Sequence, residues 1–528
     1  MYPLFKVFMS PNVIKSIENV INSGTITQGP VNLKYEQLLE NYFDVKDKIL
    51  TVNSATSGLT LALRLLDLPK GSTVLCTPLT CTATNWPVLA NGLNIQWVDV
   101  DPTTCNMSLE DLKSKLTNDT RVVLFVHWGG YPINLEKLRN IKDYYYQKFC
   151  QKLYIIEDCA HAMGAEYEDG YKVGTIDATT IAVFSTQAIK HLTTIDGGFM
   201  IIHDKSMYKR AKKLRWFGID RDRRTTPTGD FRLEPDVEEW GYKFHMNDVN
   251  AAIGVENLNY IDENLFKIKT IANHYNEMLK DVEGVELLEH VKCEPSYWIY
   301  TIKIKSDKRN FIKFMSDLGI VCSQVHGRTD QHTCVQEYRC DLPMLDNLEK
   351  EIVCIPCGWW MNLDDAEHIV SSIKDWCRCG QIVIRPLNVT TDWEECLRLI
   401  TLLNGQDIVG YDQISFQNKY ELMINSSKIY VVEKDGQIVG IGKLLIETKF
   451  FDPVGHIEDI VIDENYRNLN LGKKLVKFLI DIALCELKCY KVVLNANENV
   501  TPFYDKCNLE FEEYNTSKTY RLKKYAIC

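Results

Sequence analysis

The 528-residue chain lacks long hydrophobic runs: no stretch of about 18 consecutive apolar residues occurs, the length that a helix needs to cross a bilayer. Its first twelve residues, MYPLFKVFMSPN, hold too short an apolar stretch and too early a proline for a secretory signal peptide. We therefore expect no membrane partner and a cytoplasmic location.

Basic residues are also fewer than acidic ones. The 60 lysines and arginines stand against 71 aspartates and glutamates, which gives a formal net charge of −11. Binding to nucleic acid or to an anionic membrane needs a basic surface. The composition therefore predicts no nucleic-acid partner, and an anionic substrate must meet positive residues locally.

The chain has no repeating cysteine framework either, although it contains 18 cysteines. Cys354 and Cys357 form a CxxC, but no second pair completes the usual pattern of a zinc site. Thiols scattered through a long chain are typical of reduced, buried cysteines. We expect these two to pack in a core, and we expect no metal site.

What the chain does have, between residues 44 and 250, is an alternation of apolar strands with helical stretches. That alternation predicts a mostly parallel sheet covered by helices. Residues 251–378 change to a long helical stretch followed by shorter strands, and a new strand and helix pattern begins after residue 380. We therefore expect domains at 1–250, 251–378 and 381–528.

A lysine follows one of the predicted strands. TTIAVF, at 179–184, predicts a buried strand because β-branched and apolar residues fill it, and Lys190 comes shortly after. Ligands bind at strand ends in α/β sheets. A lysine amine has a reference pKa of about 10.4, so it attacks a carbonyl at neutral pH only when desolvated or placed beside another cation. Lys190 is a candidate for Schiff-base chemistry; the alternative is a surface lysine.

Two upstream segments carry groups that could accompany such a lysine. LYIIEDCAHAMGA predicts a short strand ending at Asp158, with His161 three residues further on. A buried aspartate holds the ring nitrogen protonated in pyridoxal phosphate sites; the alternative is a helix cap. VNSATSGLTLAL, at 52–63, predicts a polar loop that enters a helix, where free amides, hydroxyls and the small Gly58 favour a phosphate. The alternative there is simply a well-capped helix.

The three segments follow one another as a phosphate-binding loop, a carboxylate that would pair with the cofactor ring, and a lysine. In this order they resemble the pyridoxal phosphate-dependent sugar aminotransferases of the DegT and StrS type. The resemblance covers about residues 1–378. It is carried by SGTITQGP at 23–30, NSATSG at 53–58, EDCAH at 157–161 and the spacing from Ser185 to Lys190. It implies fold type I, an α/β fold with a mostly parallel sheet, helices on both faces and a smaller α+β domain.

The resemblance also implies roles for residues. Lys190 would bind the cofactor covalently, and Asp158 would pair with the pyridinium nitrogen. The other residues implied to bind the cofactor are Ala55, Thr56, His161 and Ser185.

Five further positions are implied with less direct support. Cys81 stands where relatives often carry an aromatic ring stacked on the cofactor, and His245 where they often place a residue that reaches the neighbouring subunit's phosphate. Arg221, in a charged loop, could meet a diphosphate through charge-assisted hydrogen bonds. His326 and Arg328 could face the substrate. A solvated, mobile loop is the alternative for Arg221, and ordinary core or surface placement is the alternative for His326 and Arg328.

The last domain centres on HIEDIVIDENYRNLNLGKK at 456–474, which predicts a strand, a short turn and the start of a helix. Amides exposed at such a turn can bind a pyrophosphate. Together with PFYDKC at 502–507, this order resembles the GNAT acyltransferases over about residues 385–525, and among them glucosamine 6-phosphate N-acetyltransferases. The resemblance implies a GNAT α/β domain that uses acetyl-CoA, with Tyr504 assisting the departing thiolate. The implied acetyl-CoA contacts are Ile460, Val461, Arg467, Asn470, Gly472 and Lys473.

The sequence departs from that group at two positions. Asn470 replaces the first loop glycine, and asparagine tolerates the left-handed conformation better than most residues. Asn495 stands where those enzymes carry an aspartate, and an amide cannot act as a base. Glu458 and Asp459 are the nearby acidic candidates for contact with the acceptor amine; a structural pair at a strand edge is the alternative.

An aminotransferase makes an amine and an N-acetyltransferase consumes one. The presence of both domains on one chain suggests that they catalyse consecutive steps on the same sugar. We expect this sugar to be a nucleotide-linked 4-keto-6-deoxyhexose, with UDP or dTDP as the nucleotide and glutamate as the amino donor. The resemblance also implies a homodimer. Alternatively, the GNAT domain acts on an unrelated amine, or is a non-catalytic module for acetyl-CoA binding or dimerisation.

Overall fold

The computed structural model describes residues 1–176, 179–221, 236–289, 293–379, 382–404, 412–434, 436–467, 469–496, 503, 511–514 and 517–523. The chain forms two compact units, Met1–Lys374 and Asp375–Cys528. Among the helices of the described residues, none has both the length and the apolar character that a bilayer-spanning segment requires.

The first unit is built on a seven-stranded sheet. Five neighbouring strands are parallel, in the order β3-β2-β4-β5-β6, while β7 runs antiparallel to both β6 and β1. The strands are β1 Ile49–Val52, β2 Thr73–Cys76, β3 Asn94–Trp97, β4 Thr120–Val126, β5 Tyr154–Asp158, β6 Ile181–Ser185 and β7 Gly198–Ile202. The predicted mostly parallel sheet is confirmed, and the predicted strand at 179–184 begins two residues later.

Helices cover both faces of this sheet. On one face α2 and α8 pack against β6 and β7 through a core that includes Tyr35, Phe184 and Phe199. On the other face α3 lies against Val183. The helices of this unit are α1 Val13–Ser23, α2 Pro30–Phe43, α3 Ala55–Leu65, α4 Thr82–Ala90, α5 Leu109–Lys115, α6 Leu135–Phe149, α7 Lys205–Leu214, α8 Asp248–Leu258, α9 Ile261–Leu279, α10 Lys308–Asp317, α11 Pro343–Leu348 and α12 Leu363–Cys379, the last of which runs past the end of the unit.

A smaller antiparallel sheet follows within the first unit. It contains β8 Val285–Leu287, β9 Tyr300–Ile304 and β10 Ile352–Ile355, in the order β10-β9-β8. Cys354, on β10, and Cys357 are buried free cysteines, as expected from their isolated CxxC spacing.

The second unit has its own seven-stranded sheet, in the order β11-β12-β13-β14-β15-β17-β16, in which only β14 and β15 are parallel neighbours. Helices α13 and α14 contribute to one core and α15 to another. The elements are β11 Ile382–Pro386, α13 Trp393–Asn404, α14 Gln413–Met423, β12 Ser427–Lys434, β13 Gln437–Glu447, β14 Val454–Ile462, α15 Leu471–Asp481, β15 Lys491–Ala496, β16 Phe511–Tyr514 and β17 Ser517–Lys523.

Strand β14 carries a bulge. Val461 pairs with Ile441 and Glu458 with Lys443, so two residues of β14 lie opposite one residue of β13. Asp459, inside the bulge, has a φ of 54°, which is unusual for a non-glycine residue. Bulges change the direction in which side chains point. This one interrupts, at Asp459, the alternation of β14 side chains between the two faces of the sheet.

Gly58 tests how closely α3 packs on the sheet. A Cβ at this position would lie 2.8 Å from Val183 Cγ1, in the core. We expect Gly58→Ala to destabilise the first unit by about 1–3 kcal/mol, the usual cost of overpacking. Urea unfolding followed by tryptophan fluorescence measures this, since eight of the ten tryptophans lie in that unit.

Gly327→Ala is the matched control, because a Cβ there meets no atom within 4 Å. Its effect should stay within about 0.5 kcal/mol, as for most surface substitutions. Equal effects of the two variants would contradict the tight packing of α3.

Candidate active sites

The candidate site of the first unit lies where parallel strands end. Asp158 is the last residue of β5 and Ser185 the last of the adjacent β6. Ser185 pairs with Gly198, where an added Cβ would lie 2.8 Å from the backbone nitrogen of Ala55. The start of α3 therefore lies beside the ends of β6 and β7, as ligand-binding edges of α/β sheets require.

The N-terminus of α3 presents donors suited to a phosphate. Ser54 is the N-cap, and its hydroxyl accepts a hydrogen bond from the Ser57 amide. The Ala55 and Thr56 amides have no acceptor among the residues that the structure describes. Free amides at a helix N-terminus bind anions. Gly58 faces Val183 in the core, so the absence of a side chain here allows α3 to pack closely on the sheet.

Asp158 is buried and accepts two hydrogen bonds, from the Thr84 hydroxyl at 2.7 Å and from the Ala160 amide at 3.0 Å. Burial raises the pKa of Asp158, while these two bonds and the nearby Lys190 counteract the rise. No helix begins here, since residues 159–162 form turns, so the helix-cap alternative does not apply. A fixed, buried carboxylate is suited to pairing with a pyridinium nitrogen.

Thr84 was missed in the sequence analysis. It lies in the first turn of α4, and its hydroxyl also bonds to Thr80 at 2.7 Å. Its position in TCTAT, four residues after another threonine, could have indicated a pair on one helical turn, but nothing in the sequence joins that turn to Asp158, 74 residues away.

Lys190 lies within reach of the same site. Burial lowers the pKa of Lys190 to about 7, and the Asp158 carboxylate acts in the opposite direction. This desolvation is what a carbonyl-directed lysine requires. The Lys190 Nζ lies 3.5 Å from the ring centre of Trp298, a cation–π contact that also favours the charged form.

Trp298 joins two of the predicted residues. His161 stacks on it with ring centres 3.9 Å apart, and the ring of His326 lies parallel to that of His161 at 5.4 Å. Trp298 Nε1 donates to the carbonyl oxygen of Ile189, the residue before Lys190. Burial lowers the pKa of His161 well below its ordinary value and that of His326 to about 4, so both imidazoles are neutral at pH 7.

The remaining predicted residues of the first unit are distributed differently. Cys81 is the N-cap of α4 and lies close enough to Lys190 to influence the pKa of that lysine, which places it at the site. His245 contacts Trp216 with ring centres 3.8 Å apart, and burial lowers the pKa of His245 to about 4. Arg221 lies over the same Trp216 ring at 4.5 Å and donates to the Gln28 carbonyl oxygen. His245 and Arg221 therefore form a second group around Trp216.

Arg328 has carboxylate partners in the fold. Its guanidinium forms a two-pronged pair with Asp330, at 2.8 and 2.9 Å, and contacts Asp346. Arg328 and Asp330 are both buried. These pairs hold the loop in place, and they occupy the groups that a substrate anion would need.

A buried polar group lies behind Asp158. His127 Nδ1 accepts the Ile133 amide, so the neutral ring carries its proton on Nε2, which lies 3.8 Å from a Glu157 carboxylate oxygen. Tyr167 donates to the other Glu157 oxygen at 2.7 Å, and the Cys159 thiol lies 3.5 Å from the first. Since Nε2 bears a proton in this arrangement, the cluster is better suited to hydrogen bonding than to metal binding.

In the second unit, the predicted pyrophosphate loop leads into α15. Asn470 is the N-cap and has a φ of 57°, so it does adopt the left-handed conformation. Gly472 is buried, and a Cβ there would lie 2.9 Å from Phe503. Arg467 and Lys473 are exposed around this turn. Amides and cations together can hold a diphosphate.

The acidic candidates of the second unit share one lysine. Lys443 Nζ lies 3.1 Å from Glu458 and 2.6 Å from Asp459. Burial acts to lower the pKa of Lys443, but its hydrogen bonds to these carboxylates raise it overall. Ile460 and Val461 follow in the bulged part of β14. Tyr504 and the side chain of Asn495 lie outside the described residues.

Comparison with known proteins identifies two families along the chain. Residues 9–374 match the DegT/DnrJ/EryC1/StrS aminotransferase family, and residues 392–509 match the acetyltransferase (GNAT) family. The two resemblances inferred from the sequence, and the fold class that they implied, are confirmed.

Individual relatives align with the first part of the chain. The crystal structure of the sugar aminotransferase CalS13 from Micromonospora echinospora is 41% identical, with a TM-score of 0.66, over 71% of this chain and 99% of that one. AtS13 from Actinomadura melliaura is 42% identical, with a TM-score of 0.67, over 71% and 98%. The UDP-4-amino-4-deoxy-L-arabinose–oxoglutarate aminotransferase of Shewanella sediminis is 25% identical over 388 residues, 71% of this chain and 97% of that protein.

The desolvation of Lys190 can be measured on the cofactor-free protein. We expect Lys190 to react with an amine-directed acylating reagent with a pH midpoint near 7, because burial lowers its pKa to about 7. Mass spectrometry of the Lys190 peptide gives this midpoint, and exposed lysines on the same chain, with a reference pKa of about 10.4, serve as internal standards. A midpoint shared with the exposed lysines would contradict the desolvation.

Trp298→Leu should shift that midpoint further down by roughly half a pH unit, since a cation–π contact is worth about 0.5–1 kcal/mol and one pKa unit corresponds to about 1.36 kcal/mol. Trp359→Leu is the matched control, because Trp359 contacts Phe8 and Lys6 instead. An equal shift in both variants would show a general loss of packing.

Proposed function

Because the chain belongs to the DegT/DnrJ/EryC1/StrS aminotransferase family, we propose that its first unit transfers an amino group from glutamate to a nucleotide-linked 4-keto-6-deoxyhexose, using pyridoxal phosphate. The second unit then acetylates the new amine with acetyl-CoA. The observation that supports the first step is that a desolvated Lys190 lies close enough to the buried Asp158, at one sheet edge, for each charge to act on the pKa of the other.

The residues of this edge fit pyridoxal phosphate. When bound, the cofactor supplies an electron sink that stabilises negative charge at the donor's α-carbon. Asp158 balances the charge of the ring nitrogen, and Thr84 fixes its carboxylate. We assign the phosphate to the Ala55 and Thr56 amides and the Ser185 hydroxyl; the nearness of Gly198, which pairs with Ser185, to the start of α3 supports this.

Lys190 has two tasks in this proposal. Lys190 would hold the cofactor covalently, and its amine, when free, would move the proton at the donor's α-carbon. A base is most effective when its pKa lies near the working pH, and burial gives Lys190 a pKa of about 7. The neutral His161 stacked on Trp298 adds no positive charge that would lower the pKa further.

The acetyl transfer is a direct reaction of two substrates. The acceptor nitrogen attacks the thioester carbonyl, an N–C bond forms and the C–S bond breaks. The nitrogen loses a proton to a base, and the sulfur of coenzyme A gains one from an acid. We assign the first role to Asp459 or Glu458 and the second to Tyr504; the turn from Arg467 to Gly472 would hold the pyrophosphate.

Two observations support this choice of substrates. The name of the Shewanella sediminis relative specifies a UDP-linked amino sugar and oxoglutarate, the oxo acid that glutamate leaves behind. The chain also carries a domain of the acetyltransferase family that can consume an amine. We further propose a homodimer, supported by exposed apolar side chains on the first two helices, Ile14, Ile21 and Leu33, which are 78%, 57% and 55% exposed.

Asp158→Asn tests the role of the buried carboxylate. An amide cannot balance a pyridinium charge, so we expect amination to fall by roughly 10²- to 10³-fold, the usual cost of losing one electrostatic contact in an active site. Amino-sugar formation measured by mass spectrometry gives the rate, and cofactor absorbance shows that the variant still binds pyridoxal phosphate. Full activity of the variant with pyridoxal phosphate bound would contradict the proposed role of Asp158.

The complete reaction is tested by mass spectrometry of UDP- and dTDP-linked 4-keto-6-deoxyglucose incubated with the protein, pyridoxal phosphate and glutamate, with and without acetyl-CoA. We expect an amino sugar in the absence of acetyl-CoA and its acetamido form in its presence. Lys190→Ala should abolish amination but leave acetylation of a supplied amino sugar intact. Amination without acetylation would favour the alternative in which the GNAT domain acts on another amine or only binds.

A further inference from the structure

We propose that a cavity between α13, α14 and the sheet of the second unit is the acceptor site for acetyl transfer. We further propose that it selects an amino sugar that lacks a hydroxyl group and is therefore more apolar, such as a deoxyhexose. This inference rests on the acetyl-transfer function proposed above and specifies the class of its substrate.

The cavity has a volume of about 310 Å³, within the usual range for small-ligand sites. Most of its wall is aliphatic or aromatic. The apolar side chains come from both helices and from the sheet, among them Leu397, Ile400, Phe416, Met423, Ile429 and Ile441. Leu397, Ile400 and Met423 are half-buried, so these parts of the wall remain accessible.

The polar groups in the wall are few: Lys419, Tyr420, Lys443 and Asp459. Lys443 pairs with Asp459, which lines the cavity, and with Glu458, which does not, so this ion-paired cluster holds two anions and one cation, while Lys419 is a separate cation in the wall. An amine reaches the enzyme largely as an ammonium ion, which such a cluster attracts. The amine therefore belongs at the Asp459 side of the cavity.

The β14 bulge explains how Asp459 comes to line this cavity. Asp459 adopts a φ of 54° where two residues of β14 face one of β13, and bulges re-aim side chains in this way. Lys443 is held by the same carboxylate at 2.6 Å. The bulge thus places an anion beside β13, in a cavity whose walls are mostly apolar.

The apolar wall determines which amines fit. Burying a hydroxyl group without a hydrogen-bond partner is unfavourable, whereas burying a methyl group in the same place is favourable. A hexose with a methyl at C6 therefore suits this wall better than one with a hydroxymethyl group. Lys419, which is exposed, offers a cation for an anionic part of the acceptor, such as a nucleotide diphosphate.

The test compares acetylation of two dTDP-linked 4-amino-4-deoxyhexoses by the full chain. One carries a methyl at C6 and the other a hydroxymethyl group, and the acetylated products are quantified by mass spectrometry. We expect kcat/KM to favour the methyl form by roughly 10- to 100-fold, the range over which apolar pockets discriminate such groups. Glucosamine 6-phosphate should be a poorer acceptor than either.

Met423→Gln introduces a hydrogen-bonding group of similar length into the wall and should reduce the preference several-fold. Leu422→Gln is the matched control: Leu422 neighbours Met423 on α14 but is 78% exposed and does not line the cavity, so the preference should persist. Asp459→Asn should lower kcat/KM for both acceptors alike, because it changes the contact with the amine, which both sugars share, and not the contact with the C6 group, which differs between them.

The outcomes separate the two proposals. Equal kcat/KM for the two hexoses, or a preference for the hydroxymethyl form, would leave the acetyl-transfer function in place and overturn the selection of a deoxygenated sugar. A preference that changes equally in the Met423 and Leu422 variants would overturn the assignment to this cavity. No acetylation of any of the three acceptors would overturn the acetyl-transfer function and this inference with it.

Discussion

In the first unit the site depends on two opposite charges that water reaches poorly. Burial alone would neutralise both groups: it lowers the pKa of Lys190 and raises that of Asp158. Each charge counteracts the effect on the other, and the bonds from Thr84 and Ala160 add support for the carboxylate. A lysine whose two protonation states are close in free energy can bind a carbonyl and later carry a proton, which a fully solvated lysine does poorly at neutral pH.

The sheet supplies the geometry for that balance. Parallel neighbours β5 and β6 end at one edge, which places Asp158 and Ser185 on adjacent strands, and α3 begins beside them because glycines allow close packing at Gly58 and Gly198. The stacked rings of His161 and Trp298 then occupy space near Lys190 without adding charge. Polar groups act strongly here because their surroundings are apolar.

In the second unit, too, a few charged groups lie in mostly apolar surroundings, but there a β-bulge positions them. The mostly antiparallel sheet of this unit is interrupted by a bulge, and Asp459 in the bulge, with its partner Lys443, lines a cavity whose walls are mostly apolar. A few fixed charges in an apolar surface determine both orientation and selectivity. The two proposals are consistent with each other, since a 4-keto-6-deoxyhexose, once aminated, has the amine and the apolar methyl group that this cavity suits.

The sequence by itself determined the two folds and the order of strand and helix, because these depend on local patterns and short motifs. It also predicted Lys190, Asp158 and the start of α3 as site residues, from the same kind of pattern. The left-handed Asn470 followed likewise from its residue type. Only the tertiary structure decided that Thr84 bonds to Asp158, that Trp298 lies under Lys190, and that Arg328 is held by Asp330. It also decided that Gly58 serves packing and that Lys443 joins both acidic candidates. Except for the ion pair of Arg328 with Asp330, these contacts join residues distant in the chain or on different elements, and no local pattern encodes which side chains meet when sheets and helices pack.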